Sequence, residues 1–260
     1  MITAPKPEKR KWMRRNQNVS LGLLLDVLAR SRGRNGGRMR YVQVGANNGK
    51  LADPLFQHTA AGAFSAILIE PSPRYFTSLA NRYARNDDVV TINVGIADEE
   101  GEMTLYQLAP EYEEAFPGWA RGCASMIREE LVQALSKTGP VKDEMVLATP
   151  VPVVRLDRIL EEHEALEAEM LVIDVEGFEA NVFRSVDLSI FRPHVILFEY
   201  THLKDEDATA IHAQLNAAHY RMWVMRSDIV AIHKDWLPPH LEDVFGIMNI
   251  AEWGDDTTSD

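Results

Sequence analysis

The chain has 260 residues, of which 46% are hydrophobic, and it carries a net charge of −12 and a single cysteine, Cys123. This composition indicates a globular protein able to bury a full core, and one cysteine excludes disulfide frameworks and cysteine zinc sites within a monomer. No apolar run approaches the roughly 18 residues that a membrane span needs, and the charged N-terminus lacks the apolar stretch of a signal peptide. We therefore expect a cytoplasmic protein without a membrane span.

The N-terminal residues 1–40 are strongly basic. They contain eleven Lys or Arg and two acids, a charge of +9, so the remaining 220 residues carry −21. Such an arm either binds nucleic acid or anionic lipid, or packs against its own acidic domain. We favour packing and expect no nucleic-acid partner, because a nucleic-acid-binding body would be basic. Within the arm, the leucine spacing of residues 20–31 predicts a helix.

Apolar segments alternate with amphipathic ones from residue 41 onward. The predicted strands are 41–44, 65–70, 89–94, 170–175, 194–200, 221–225 and 229–233. The predicted helices between them are 50–60, 73–84, 178–186 and 205–218. Strands that are apolar on both faces and separated by amphipathic helices predict an α/β fold with a doubly wound, mostly parallel, Rossmann-like sheet. The short link between the last two strands predicts an antiparallel hairpin at the sheet edge.

Two segments interrupt this alternation. Residues 101–108 (GEMTLYQL) predict an extra antiparallel strand, and residues 109–150 form a long stretch of poor periodicity. Because loops of this length in compact domains commonly cover a functional site, we interpret 109–150 as an insertion that covers the substrate. These boundaries predict an N-terminal arm and helix at 1–40 and a main domain at 41–234. They leave a C-terminal segment, 235–260, that ends in a disordered acidic tail.

The ends of the predicted strands carry the candidate site, because ligands of open α/β sheets bind beyond the carboxyl ends of the strands. The first strand runs into the turn 45–49 (GANNG), where glycines let a ligand approach the backbone, although neither the dinucleotide spacing nor a P-loop is present. The second strand ends at Glu70, which is placed to accept hydrogen bonds from ribose hydroxyls. The third runs into Ile96, Ala97 and Asp98, which are placed to contact an adenine ring, although Asp98 can equally be a turn residue. These features predict a nucleoside site.

Further ionisable residues follow the fourth and fifth strands. Asp174 and Glu176 alternate with one apolar residue and therefore share a side of the extended chain. Glu199 ends the fifth strand, and His202 follows three residues later. Carboxylates in this arrangement predict a general base, a metal pair or a polar cradle for a cationic ligand.

Six sequence blocks carry a family resemblance over residues 41–225. In chain order they are VQVGANNG, LIEPSPRYFTSL, NVGIADEEGEMTLY, VRLDRIL, LVIDVEGFEANVF and PHVILFEY. Together they resemble the FkbM family of S-adenosylmethionine-dependent methyltransferases, with IDVEGFE as the most specific motif. The resemblance implies a seven-stranded sheet whose last strand is antiparallel. It also implies methyl transfer to an oxygen, often a hydroxyl of a sugar, glycoside or polyketide.

The resemblance further implies roles for individual residues. It places S-adenosyl-L-methionine against Gln43, Gly45, Ala46, Asn47, Gly49, Glu70, Ile96, Ala97, Asp98 and Asp174. Gln43 stands where such enzymes commonly carry an aspartate, and its amide oxygen still accepts from the ligand's ammonium. Asp174 or Glu176 would orient or deprotonate the acceptor hydroxyl, with Glu199 and His202 as second candidates. A divalent metal on Asp174, Glu176 and Glu199 could lower the hydroxyl pKa, but the sequence does not require one.

The predicted cover carries residues suited to an acceptor. Tyr112 and Trp119 can stack on a sugar face or a hydrophobic ring, Arg121 can meet a phosphate or carboxylate, and Ser125 can line the same wall. The aromatic residues can equally serve to pack the insertion onto the domain.

Two other functional classes share parts of this pattern. A non-catalytic nucleoside-binding or scaffold protein would keep the fold but needs no pair of carboxylates at a strand end. An NAD-dependent oxidoreductase shares the sheet and the ribose carboxylate, but it needs the glycine spacing that this chain lacks. The methyltransferase interpretation accounts for the pair of carboxylates and does not need the dinucleotide glycine spacing.

Overall fold

The computed structural model of the chain describes residues 21–28, 37–51, 53–237, 240–248 and 250–254, and the side chain of Trp119 is not among those described. The predicted basic arm before residue 21 and the acidic tail after residue 254 lie outside these ranges. Within them, no helix combines the length and the apolar character that crossing a lipid bilayer requires.

Strands and helices alternate along the described chain. The strands are β1 (Met39–Val44), β2 (Phe64–Ile69), β3 (Val89–Ile92), β4 (Gly95–Ile96), β5 (Gly101–Leu108), β6 (Ala124–Ser125), β7 (Val146–Val154), β8 (Met170–Ile173), β9 (Val195–Glu199), β10 (Tyr220–Met225) and β11 (Asp228–His233). The helices are α1 (21–28), α2 (Phe56–Ala60), α3 (Pro73–Tyr83), α4 (Arg128–Ser136), α5 (Leu156–Glu162), α6 (Glu179–Arg184), α7 (Asp205–Ala217) and α8 (Leu241–Ile247). Short 3-10 helices cover Pro110–Ala115, Gly118–Gly122, Asp143–Met145 and Lys234–Trp236.

The central sheet of the described residues has seven strands in the order β10-β11-β9-β8-β1-β2-β3. β11 runs antiparallel to both β9 and β10, whereas the other neighbouring pairs are parallel. The predicted α/β fold, with a mostly parallel seven-stranded sheet and an antiparallel last strand, is confirmed. The predicted hairpin lies at the sheet edge with β10 outermost. As a result β11 lies beside β9, and Asp228 pairs in register with Glu199.

Both faces of the central sheet are buried, which makes the fold doubly wound. Val42 and Val44 of β1 point to the face that is covered by α5, α6 and α7. Met39 and Tyr41 point to the opposite face, which is covered by α1, α3 and α8. Because side chains alternate along a strand, Gln43 lies on this second face as a polar residue in an apolar strand.

A second sheet, in the order β4-β7-β5-β6, flanks the central one. β5 coincides with the predicted extra strand and pairs antiparallel with β7. The sequence does not predict β7, because Pro150 and Pro152 argue against a strand interior. β4 pairs only with Val153 and Val154, so among the described strands the proline positions have a neighbour on one side only. The predicted end of the insertion at residue 150 therefore falls inside β7.

The insertion has a small core of its own. Leu108 of β5 packs with Phe116 and with Leu131 and Leu135 of α4, and Tyr112 lies against this cluster. The sequence predicts neither α4 nor this core. Residues 109–150 are therefore a packed unit that rests on β5 and β7, and not an extended loop.

Candidate active site

The turn after β1 is shaped by the close approach of two strand ends. Gly45 has a φ of 84°, and a Cβ built on it would lie 1.8 Å from the carbonyl oxygen of Asp174. Glycine is therefore required here by packing against the end of β8. Gly49, with a φ of 70°, packs against Leu79 and Tyr83 of α3. In contrast to its predicted role, Gly49 does not line the cavity at the strand ends.

Glu70 anchors this turn from the end of β2. Its carboxylate accepts hydrogen bonds from the backbone N–H of Asn47 (2.7 Å) and of Ser72 (2.8 Å). Burial raises the pKa of Glu70 to about 7, although these two donors oppose the shift. Because each carboxylate oxygen has two lone-pair sites, Glu70 can still accept from ribose hydroxyls.

The strand ends surround a cavity of about 670 Å³, a size typical of small-molecule sites. The ends of β1, β2, β8 and β9 border it, together with the β10–β11 turn, α1 and part of the insertion. The predicted site residues that line it are Gln43, Gly45, Ala46, Asn47, Glu70, Ile96, Ser125, Asp174, Glu176 and Glu199. The parallel topology thus brings distant parts of the sequence to one edge of the sheet, as expected.

Gln43 presents an unsatisfied acceptor to this cavity. It is 4% exposed, and its Oε1 has no hydrogen-bond partner among the described residues. A buried amide oxygen without a donor costs about 1 to 3 kcal/mol, and a ligand ammonium in the cavity can supply that donor. Gln43 and Glu70 therefore fit the amino and ribose groups of the cofactor that the family resemblance implies.

Asp174 and Glu176 project from the segment after β8. The Asp174 side chain is exposed to the cavity, and no described residue donates a hydrogen bond to it. Enclosure by protein raises the pKa of Asp174 above its usual value, and the charges of Glu176 and Glu199 add to this; water in the cavity limits the shift. Glu176 has a φ of 51° and accepts from the thiol of Cys123, with Sγ 3.6 Å from Oε1. Nε2 of His202 lies 3.6 Å from Oε2 of Glu176.

Glu176, Glu199 and His202 form a group that can hold a metal ion. Their ligand atoms lie within 4.8 Å of one another, and two carboxylates with an imidazole suit divalent transition metals. The sequence prediction for a metal included Asp174, which does not belong to this group, and omitted His202. The Nδ1 atom of His202 faces Oε2 of Glu130 in α4 at 3.9 Å, and His202 does not itself line the cavity.

Ala97 and Asp98 do not line the cavity, so the structure does not support their predicted contact with adenine. Ala97 packs against Phe178 in a small apolar cluster. The carboxylate of Asp98 pairs with Arg184 of α6 at 3.2 Å. Of the three residues predicted after the third strand, Ile96 lines the cavity.

The predicted acceptor contacts are only partly brought together. Ser125 lines the cavity, and its hydroxyl donates to the carbonyl oxygen of Glu176 at 2.8 Å. Tyr112 packs against the small core of the insertion, in agreement with the packing alternative. Arg121 is exposed and lies outside the cavity lining. The side chain of Trp119 falls outside those that the structure describes.

Other parts of the cavity wall are not predicted by the sequence. They come from α1, from the loop before α2 and from the β10–β11 turn, and include Leu21, Gly22, Leu25, Asp53, Pro54, Arg226, Ser227 and Asp228. Burial raises the pKa of Asp228 to about 7, and the charge of Glu199 adds to this shift. The available sequence signal is the acidic residue at the start of an otherwise apolar strand.

Cofactor affinity is expected to follow the ionisation of Glu70. Because the pKa of Glu70 in the folded protein is about 7, the carboxylate gains its charge between about pH 6 and about pH 8. The ionised form is the stronger acceptor, so the Kd for S-adenosylhomocysteine, measured by calorimetry, should fall roughly tenfold over that interval. Glu70→Gln should flatten the profile; a variant with the parent's pH dependence would contradict the assignment.

Ionisation of Glu70 should have the opposite effect on the stability of the ligand-free protein. As the pH rises, it should lower the free energy of unfolding while it strengthens cofactor binding. The pKa of Glu70 in the folded state lies above its ordinary value of 4.5, so the folded state binds the proton more tightly than the unfolded state. This contribution is present at low pH and is lost as the pH rises from about 4.5 to about 7.

The chain is similar to a known protein family and to several solved structures. The family model described as the methyltransferase FkbM domain matches residues 43–222, whereas no curated protein matches the sequence. Similar solved structures include methyltransferase FkbM from Methylobacillus flagellatus KT, with 12% identity, a TM-score of 0.47 and coverage of 75% of this chain and 44% of that chain. The N-terminal domain of human METTL16 in complex with SAH has 9% identity and a TM-score of 0.43. That match covers 91% of this chain and 73% of that chain. Precorrin-6y C5,15-methyltransferase from Geobacter metallireducens GS-15 has 10% identity and a TM-score of 0.35. That match covers 75% of this chain and 78% of that chain.

This chain thus spans less than half the length of the Methylobacillus protein. The family model, in contrast, extends from β1 into β10 and includes the ends of β1, β2, β8 and β9 that border the cavity. The chain belongs to the FkbM methyltransferase family.

Proposed function

We propose that this protein is an S-adenosyl-L-methionine-dependent O-methyltransferase that acts on a hydroxyl of a small molecule. The observation that carries the proposal is the position of the Asp174 carboxylate. It is exposed to the cavity that Glu70 and Gln43 also line, and no described residue donates a hydrogen bond to it. Membership of the FkbM family supports methyl transfer. The oxygen as the methylated atom is our inference from the carboxylates.

The cofactor-binding residues are assigned by their free hydrogen-bonding capacity. Glu70 accepts hydrogen bonds from the ribose hydroxyls, and Gln43 accepts one from the amino group of the cofactor. Ile96 offers an apolar surface for the adenine ring. When bound, S-adenosyl-L-methionine supplies a methyl group on a sulfonium, which is open to attack by a nucleophile. The turn from Gly45 to Asn47 brings backbone close to this part of the cavity.

Asp174 is assigned as the general base. A hydroxyl becomes a strong nucleophile only as its proton is removed, and a carboxylate with a raised pKa is a better acceptor for that proton near neutral pH. Glu176 is held by Cys123 and His202, which fixes its orientation. We therefore assign Glu176 to orient the acceptor hydroxyl, with Glu199 further along the same wall.

The acceptor is proposed to be a sugar, a glycoside or a polyketide. Carboxylates such as Asp174, Glu176 and Glu199 accept hydrogen bonds from hydroxyl donors, and the cavity volume suits a molecule of that size. We propose no nucleic-acid partner, because the body of the chain is acidic. The cytoplasm is proposed as the site of reaction, since a single cysteine offers no disulfide framework.

Calorimetry with S-adenosylhomocysteine and with NAD tests the cofactor, and a methyl-transfer assay tests the reaction. We expect saturable binding of S-adenosylhomocysteine and none of NAD; binding of NAD alone would favour the oxidoreductase alternative. Transfer from labelled S-adenosyl-L-methionine to a panel of glycosides and hydroxylated polyketides is followed by mass spectrometry. A product methylated on nitrogen or carbon, but never on oxygen, would contradict the proposal.

A further inference from the structure

The ionisable groups that line the cavity are nearly all acidic. They are Asp53, Glu70, Asp174, Glu176, Glu199, Asp228 and a single cation, Arg226. Like charges gathered in a partly dry space repel one another unless a cation joins them. The lining therefore favours ligands that carry positive charge, because the described residues around the cavity supply fewer positive than negative charges.

Glu199 and Asp228 are two acidic residues of this lining that face each other across neighbouring strands. Asp228 begins β11 and lies directly opposite Glu199, the last residue of β9, on neighbouring antiparallel strands. Like charges in such opposed positions destabilise a sheet. The hydroxyls of Thr201 and Ser227 donate to these carboxylates, which solvates the charges without neutralising them. The pair is thus arranged to receive a cation.

The nearby basic side chains are placed to serve only part of this group of carboxylates. Nε2 of His202 lies 3.6 Å from a carboxylate oxygen of Glu176 and 3.9 Å from one of Glu199, so one imidazole faces both carboxylates. Arg226 is exposed and lies on the turn two residues before Asp228. The sulfonium of the methyl donor adds one positive charge to the cavity. Negative charge is still in excess at the end of β9 and the start of β11.

We propose that the acceptor is a hydroxylated amine, such as an amino sugar or an amino alcohol, whose ammonium group binds between Glu199 and Asp228. The proposal rests on the methyltransferase function above and narrows its acceptor class. Phosphorylated and carboxylated acceptors are excluded, because they would add negative charge to this lining. A nitrogen held as ammonium has no lone pair for attack, so the hydroxyl is still the methylated group.

Two further features of the cavity fit such a ligand. Oδ2 of Asp53, another acid of the lining, is buried without a hydrogen-bond partner among the described residues and can accept from a ligand donor. Leu21 and Leu25 of α1 form an apolar part of the wall, which suits the carbon skeleton of an amphiphilic amine. The cavity thus offers both hydrogen-bond acceptors and an apolar surface to one ligand.

The geometry favours an ammonium over a divalent metal at this place. A metal held by Glu176, Glu199 and His202 would not bind Asp228, which is not part of that group and for which the charge of Arg226 compensates only in part. An ammonium between Glu199 and Asp228 serves both carboxylates and leaves His202 paired with Glu176. Only the ammonium accounts for the opposed arrangement of Glu199 and Asp228.

The test uses protein saturated with S-adenosylhomocysteine, which occupies the cofactor part of the cavity. It is titrated at low salt, by ligand-observed NMR, with hexylamine, hexanol and hexanoate, three probes of one skeleton. We expect hexylammonium to bind at least about tenfold more tightly than hexanol, because hydrogen bonds to charged groups are the stronger ones, and hexanoate not to bind. Asp228→Asn and Glu199→Gln should each reduce this preference severalfold. Glu102→Gln, on the exposed part of β5, should leave it intact.

Equal binding of hexylammonium and hexanol overturns the inference, and so does a cation preference that persists in both variants. Displacement of hexylammonium by equimolar Mn²⁺ at constant ionic strength assigns the carboxylates to a metal and also overturns it. The affinity for S-adenosylhomocysteine is measured on the same samples. Its absence would count against the proposed methyltransferase function, whereas its presence without a cation preference would count against the amine acceptor alone.

Discussion

Asp174→Asn is expected to lower kcat for methyl transfer by roughly 10² to 10⁴, the range that loss of a general base produces. Asparagine keeps the size of the side chain and can still hydrogen-bond a hydroxyl, but it cannot take the proton. The main contacts assigned to the cofactor lie on Glu70 and Gln43, so the Kd for S-adenosylhomocysteine should change by less than about tenfold. Initial rates at saturating cofactor, together with calorimetry, separate the two effects.

Asp143→Asn is the matched control for this prediction. Asp143 lies in the insertion, where it is exposed and pairs with Arg128 outside the cavity, so turnover should equal that of the parent protein. Full activity in Asp174→Asn would contradict the assignment of the base. A comparable loss in Glu176→Gln alone would then move that role to Glu176.

Gly45→Ala is expected to destabilise the fold through the contact between β1 and β8. The new Cβ would lie 1.8 Å from the carbonyl oxygen of Asp174 and would sit on a residue with a φ of 84°. The positive φ and the overlap together cost about 2 to 5 kcal/mol. Thermal unfolding followed by circular dichroism should show a Tm lower by roughly 5 to 15 °C, with weaker binding of S-adenosylhomocysteine.

Gly62→Ala separates the contact from the backbone conformation. Gly62 has a φ of 71°, but a Cβ there meets nothing within 4 Å. Only the conformational cost of about 1 kcal/mol applies, so the Tm should fall much less than in Gly45→Ala. Equal losses in the two variants would show that the close approach to Asp174 does not determine the requirement for glycine.

The central sheet is predictable from the sequence because its strands are buried on both faces. Residues 170–173 and 195–199 read as nearly continuous apolar runs, which indicate a strand without reference to distant residues. The second sheet gives no such local signal. β7 contains Pro150 and Pro152, and the apolar face of α4, with Leu131 and Leu135, packs on a core that exists only once β5 and β7 have paired.

The same distinction explains which site residues the sequence predicts. Parallel strands present their last residues at one edge of the sheet, so Glu70 and Glu199 are found by looking at strand ends. Asp228 is overlooked because β11 is antiparallel and brings its first residue to that edge. Asp98 is paired with Arg184, 86 residues later in the chain, and local spacing in the sequence does not reveal this ion pair.

Hydrogen bonds connect the insertion to the ligand-binding turns. The side-chain amide of Asn47 donates to the carbonyl of Gly122, and the hydroxyl of Ser125 donates to the carbonyl of Glu176, both at 2.8 Å. Because coupling between two sites is reciprocal, a ligand that orders these turns must also make the insertion harder to unfold. Conversely, an amino-acid exchange in the small core around Leu135 can retune affinity without altering any residue that meets the ligand.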